Sequence, residues 1–157
     1  MSFTRRHLPH WIPVNTIIFV TWSLAGGHRW LADSRCARIV ADALIYGTKM
    51  YGLHAWVVMP THVHVIMTPK QPFPEIMRWL KWTTARRCNR LLGRSGVFWQ
   101  DESFDHWIRN YWELDKLIAY VERNPTSGGL KNWPWSNVFL VTPFCIRHVH
   151  LINAVAP

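Results

Sequence analysis

The sequence predicts an α+β domain: a ferredoxin-like antiparallel sheet with helices packed on one face. Three observations lead there. Two apolar runs with strand character, 53–59 and 62–68, flank the turn residues Pro60 and Thr61 and read as a β-hairpin. Stretches before and after that hairpin carry apolar residues at helical spacing. Strand-like runs at 14–24 and 104–109 lie outside the two helices, and a third helix follows. The order β-α-β-β-α-β-α is that of a split βαβ sheet, and right-handed crossovers put the hairpin at its centre.

Taken in order, Arg5 to Trp11 forms a basic and aromatic arm ahead of the first strand, which Gly26 and Gly27 end. Asp33 and Ser34 are N-cap candidates for a helix reaching about Tyr51, with Cys36, Val40, Ala43, Leu44 and Met50 on its buried face and Gly52 as its stop. The second helix, 74–92, gathers Ile76, Met77, Leu80, Thr84, Cys88 and Leu91 on one side. Arg78, Lys81, Arg86, Asn89 and Arg90, with Trp79 and Trp82 among them, fall largely on the other. Such a face suits a nucleic-acid backbone and its bases, or is simply solvated. Leu114, Leu117, Ile118 and Val121 give the third helix, 111–124, its buried stripe, and Pro125 is expected to end it.

At 157 residues the chain has the size of one domain. A hydrophobic fraction of 49% against 17% charged excludes an extended disordered chain. The net charge of +9 favours polyanions, most simply nucleic acid, and some of the 11 tryptophans are candidates for stacking on unpaired bases. Cys36, Cys88 and Cys145 are widely spaced and odd in number, which points to reduced thiols and a cytoplasmic setting. No apolar run is long enough to span a membrane.

His62 and His64 share one face of their strand, about 7 Å apart along it. Two imidazoles so placed can converge on a divalent ion or a phosphate, or be an ordinary sheet face. Tyr120 flanks the buried stripe of the third helix, and Asn124, one turn on, lies almost above it. The phenol and the amide can therefore address one point.

These signals resemble, in order, the marks of the REP-associated tyrosine transposases, single-tyrosine HUH enzymes of the insertion-sequence-200-like group. The marks are Arg6-His-Leu-Pro-His-Trp11 with Phe19-Val-Thr21, then Val58-Met-Pro-Thr-His-Val-His64, Thr84-Ala-Arg-Arg-Cys-Asn-Arg90, Phe98-Trp-Gln100 and Asp105-His-Trp-Ile-Arg109. Tyr120-Val-Glu-Arg-Asn-Pro125 with Gly129-Leu130, and Trp135-Ser136, complete the set. Thr61 stands where the family usually has Asn, Asp101-Glu102 replaces basic and glycine residues, and Thr126-Ser-Gly replaces a segment that usually carries a lysine.

The resemblance implies a divalent metal, Mg2+ or Mn2+, on His62, His64 and Asn124, with Tyr120 as the nucleophile. It implies cleavage and rejoining of single-stranded DNA at REP-like hairpins through a 5′-phosphotyrosine, without ATP, by a monomer rather than a dimer. Lys81, Arg86, Arg87 and Arg90, with Arg5 and Arg6 of the arm, are the expected phosphate contacts. His106 is a candidate base for the phenol. A DNA-hairpin-binding regulator without catalysis is the alternative reading. Residues 1–138 read as one catalytic domain and 139–157 as a tail, whose His148 and His150 lack the preceding strand and turn.

Overall fold

The computed structural model describes Ile12 and residues 15–139. Its main elements are β1 (Ile18–Leu24), α1 (Ser34–Tyr46), β2 (Tyr51–Val58), β3 (His62–Pro69), α2 (Phe73–Leu91), β4 (Trp99–Trp107), α3 (Tyr111–Ser127) and β5 (Ser136–Val138). The strands form one sheet in the order β4-β1-β3-β2-β5, antiparallel at every step. The ferredoxin-like sheet and the internal position of the β2–β3 hairpin are as the sequence predicts. β5, three residues long, adds an edge that the sequence reading did not contain.

Alternation along the strands divides the interior in two. Ile18, Val20, Trp22 and Leu24 of β1 and Val63, Val65 and Met67 of β3 join the main core with Val40 and Leu44 of α1 and Ile76 and Leu80 of α2. Phe19, Ile66, Ala55 and Val57 face the other way and form a smaller core with Leu114 and Val121 of α3. Helices on one face therefore describes α1 and α2, and α3 departs from it. α1 and α2 are crossovers between strands of like direction, so handedness puts them on one side. α3 also joins strands of like direction, but it runs from β4 back across the sheet to β5, the opposite sense to α2. The same handedness therefore puts it on the other face, where apolar side chains receive it.

Several boundaries move from the sequence reading. Asp33 is the N-cap of α1, its carboxylate accepting from Arg35 N at 2.9 Å. The helix stops at Tyr46, and Tyr51 already belongs to β2, fully buried with its phenol donating to the Leu44 carbonyl at 2.7 Å. Gly52 lies inside β2 and is no helix stop. β4 begins at Trp99, ahead of the expected Phe104, because Trp99 pairs with Leu24 beyond a register shift in β1. α3 continues past Pro125 to Ser127. A proline in the last turn removes one helical donor, and the closing carbonyls are taken up by backbone N–H groups: Gly128 on Asn124, Gly129 on Thr126 and Leu130 on Pro125. Gly129 takes the left-handed conformation (φ 75°) that this ending requires.

Candidate active site

His62 and His64 lie on β3 facing α3, their ring centroids 4.6 Å apart. His64 is almost fully buried and His62 is half-buried. Each ring has its Nδ1 on a threonine hydroxyl: Thr21 Oγ1 at 2.6 Å from His64, Thr61 Oγ1 at 2.8 Å from His62. Thr21 reaches His64 because the two are directly opposite on β1 and β3, and Thr61 immediately precedes His62 in the turn. With Nδ1–H donating to the hydroxyl, each imidazole presents an unprotonated Nε2, the form a metal or a proton donor needs.

Burial disfavours the imidazolium of both. It lowers the His62 pKa below the ordinary histidine range and, with the neighbouring His62 as a smaller cause, pushes His64 down to about 3. Two neutral imidazoles side by side suit a ligand role.

Tyr120 projects from α3 over this pair. Its Oη is 3.5 Å from His64 Nε2, and its ring meets His64 edge-on at 5.3 Å between centroids. Phe19 on β1 stacks on His64 at 5.4 Å and meets the Tyr120 ring edge-on at 6.1 Å, so both rings share one apolar wall. The tyrosine is 47% exposed, so its side chain borders solvent. Asn124 follows one turn later on α3 and is half-buried.

The start of α3 is fastened to β4. The Asn110 side chain caps the helix by accepting from Glu113 N at 2.9 Å. Glu113 Oε2 accepts from Arg109 N at 2.8 Å, and Glu113 Oε1 is 2.6 Å from His106 Nε2. These contacts hold the Glu113 carboxyl below the usual carboxylate range, against a desolvation that alone would raise it. The His106 Nε2 is thus taken up by Glu113, and the pair clasps the start of α3 to β4.

The expected phosphate contacts separate. Arg86, Arg87 and Arg90 are exposed on α2, and Arg86 lies over the exposed Trp82 ring at 5.3 Å. α2 covers the sheet face opposite α3, so the sheet lies between these cations and the histidine pair. Lys81 is occupied: its Nζ donates to the carbonyls of Gln100 and Asp101, both at 2.9 Å, and burial lowers its pKa. It binds α2 to the start of β4. Arg5, Arg6, His148 and His150 lie outside the described residues.

Thr21, Phe19 and the His106–Glu113 clasp have no role in the sequence reading. Phe19-Val-Thr21 stands there as a motif, but its pairing with β3 is what gives it a function. Thr61 reads there as a change to the hairpin, and its hydroxyl on His62 makes it part of the site.

A family model described as "Transposase IS200 like" matches residues 33–124, more than half of the chain. The REP-associated tyrosine transposase of Escherichia coli (strain K12) is 29% identical over 93 residues, which are 56% of this chain and 54% of that relative. The chain thus spans about half the length of this curated relative. A solved structure of a REP-associated tyrosine transposase bound to a REP hairpin superposes with a TM-score of 0.69 at 26% identity, covering 87% of this chain and 82% of the other. The resemblance read from the motifs is borne out by all three, and the chain belongs to the IS200-like transposase family.

Proposed function

We propose that this protein cleaves and rejoins single-stranded DNA at REP-like hairpins, with Tyr120 as the nucleophile. The observation that carries this reading is the Tyr120 hydroxyl, 3.5 Å from His64 Nε2 on a half-exposed residue, beside a histidine pair whose other nitrogens are held by threonines. A regulator that only bound hairpins would have no use for that arrangement. The family membership and the hairpin-bound relative supply the DNA and its form.

Tyr120 Oη attacks the scissile phosphorus, the bond from phosphorus to the 3′ oxygen breaks, and the 5′ phosphate remains on the tyrosine. The phenol proton passes to solvent and the departing 3′ oxygen leaves as a hydroxyl. Attack of a 3′-hydroxyl on the phosphotyrosine reverses the step and reseals the strand, so no ATP is consumed. Phe19 fixes the plane of the His64 ring and the position of Tyr120 against it, which shortens the search for an in-line geometry.

The donor set fits a divalent cation: two neutral imidazoles presenting Nε2, with the Asn124 amide oxygen as the third donor. Mg2+ or Mn2+ bound there would draw charge off the phosphate oxygens and help the phenol ionise. We assign the basic arm and residues up to 138 to one catalytic domain, and regard 139–157 as a tail.

The test is a denaturing gel of labelled hairpins with unpaired flanks, incubated with Mn2+ or with EDTA. A protein-sized adduct that requires the metal and disappears in Tyr120→Phe, while hairpin affinity is kept, is the expected result. Tight binding with no adduct from the unaltered protein would favour the regulator, and cleavage without an adduct would mean hydrolysis by water.

A further inference from the structure

We infer that Phe104 is a stacking platform for an unpaired base next to the scissile phosphate. The inference rests on the proposed function and names a residue that positions its substrate. An exposed phenylalanine is common by itself. The register of the sheet is what gives this one its meaning.

Thr21 of β1 is opposite His64 of β3 on one side and opposite Phe104 of β4 on the other. Directly opposed residues of antiparallel strands point to the same face, so His64, Thr21 and Phe104 form one row on the α3 side of the sheet. Two strand spacings put Phe104 roughly 10 Å from His64. α3 lies chiefly over β2, β3 and β5 and meets β4 through Glu113 on His106, one pair along from Phe104. Phe104 is 50% exposed. Tyr46, Trp82 and Trp112 are also exposed but have a stacking or cation partner in Trp79 and Lys49, Arg86 and Lys116, whereas Trp107, Tyr111 and Phe139 are open like Phe104 but stand outside the row of His64 and Thr21. Phe104 has no ring or cation against it among the described residues.

The occupant that fits is a nucleobase. A strand whose phosphate sits under Tyr120 can leave the site along this row, over Thr21 and toward the β4 edge. The +9 chain attracts its phosphates, and a phenyl ring takes any base face without reading its edge. Phe104 then fixes which phosphate of the unpaired flank is presented to Tyr120. It is a positioning residue and takes no part in the chemistry.

The experiment scans a hairpin's unpaired flank with a single abasic nucleotide, one position at a time, against the unaltered protein, Phe104→Ala and Phe104→Trp. Binding is read by fluorescence anisotropy in EDTA, and adduct formation is read with Mn2+. One abasic position should weaken binding by the unaltered protein roughly ten- to hundredfold, the range for one lost stack. Phe104→Ala should show the same loss on intact DNA and no further loss at that position, and Phe104→Trp should behave like the original. Adduct formation at subsaturating DNA should follow the same pattern. Phe104→Ala binding like the unaltered protein, or remaining as sensitive at every abasic position, would overturn the inference. Absence of any adduct from the unaltered protein would count against the proposed cleavage, and the binding scan would still decide the role of Phe104.

Discussion

A single hydroxyl sets the direction of each imidazole. If Thr21 orients His64 as a ligand, Thr21→Val should weaken divalent-metal binding by about 10- to 100-fold, the usual effect of losing an outer partner of a metal-bound histidine. Thr21→Ser should retain most of it. Titration of adduct yield against Mn2+ concentration reads both, and equal titrations for Thr21→Val and the unaltered protein would contradict the role. The buried histidines also make a prediction about pH. Folding lowers the His64 pKa from 6.5 to about 3, so below pH 6.5 the unfolded chain binds a proton that the folded chain refuses. Metal-free protein should therefore lose stability as pH falls, with His64 alone contributing a slope approaching about 1.4 kcal/mol per pH unit. Urea midpoints between pH 7 and 4 test it, and His64→Gln should flatten the slope. The placement of His62 and His64 on β3, and of Tyr120 and Asn124 on α3, was legible in the sequence because strand and helix periods fix it without knowing any contact. Thr21 and Phe104 were not, since their meaning lies in which strands are neighbours and in what register.

At the scale of elements, the turn after α1 shows why a helix end was misread. Gly47 to Lys49 continues as a 3-10 turn, and a Cβ at Gly47 would run into the Tyr51 phenol. Gly47→Ala should thus cost about 1–3 kcal/mol through overpacking, measured by urea unfolding, despite alanine's better helix propensity. A neutral or stabilising result would show that Tyr51 can yield. Gly52 after Tyr51 reads as a helix stop, and only the pairing of Tyr51 with Pro69 of β3 reveals a strand start. Likewise Gln100-Asp101-Glu102 lies ahead of the strand expected at 104–109, whereas in the structure it belongs to β4 and Lys81 holds its carbonyls at the sheet edge. The core faces of α2 and α3 were legible, apart from Leu91, which is 37% exposed in the last turn of α2. The side of the sheet taken by α3 was not, because it depends on where β5 docks.

For the molecule as a whole, the exposed arginines of α2 lie on the layer opposite the histidine pair. Arg86, Arg87 and Arg90 changed together to Gln should weaken hairpin binding and flatten its salt dependence, each lost phosphate contact reducing the slope of log K against log salt by about 0.7–0.9. The rate of adduct formation at saturating DNA should stay unchanged. An unaltered salt slope would remove these three residues from the DNA path. No helix among the described residues is long and apolar enough to cross a membrane. The family, and the sheet that carries its two histidines, could be read from ordered motifs spread across the chain, each placed by a different element.

The most direct measurement is identification of the covalently modified peptide. The protein would be trapped on a cleaved hairpin, digested with protease and nuclease, and the nucleotide-bearing peptide fragmented in a mass spectrometer. The account predicts a 5′-linked nucleotide on Tyr120. A nucleotide on any other residue, or linked through its 3′ phosphate, would contradict it.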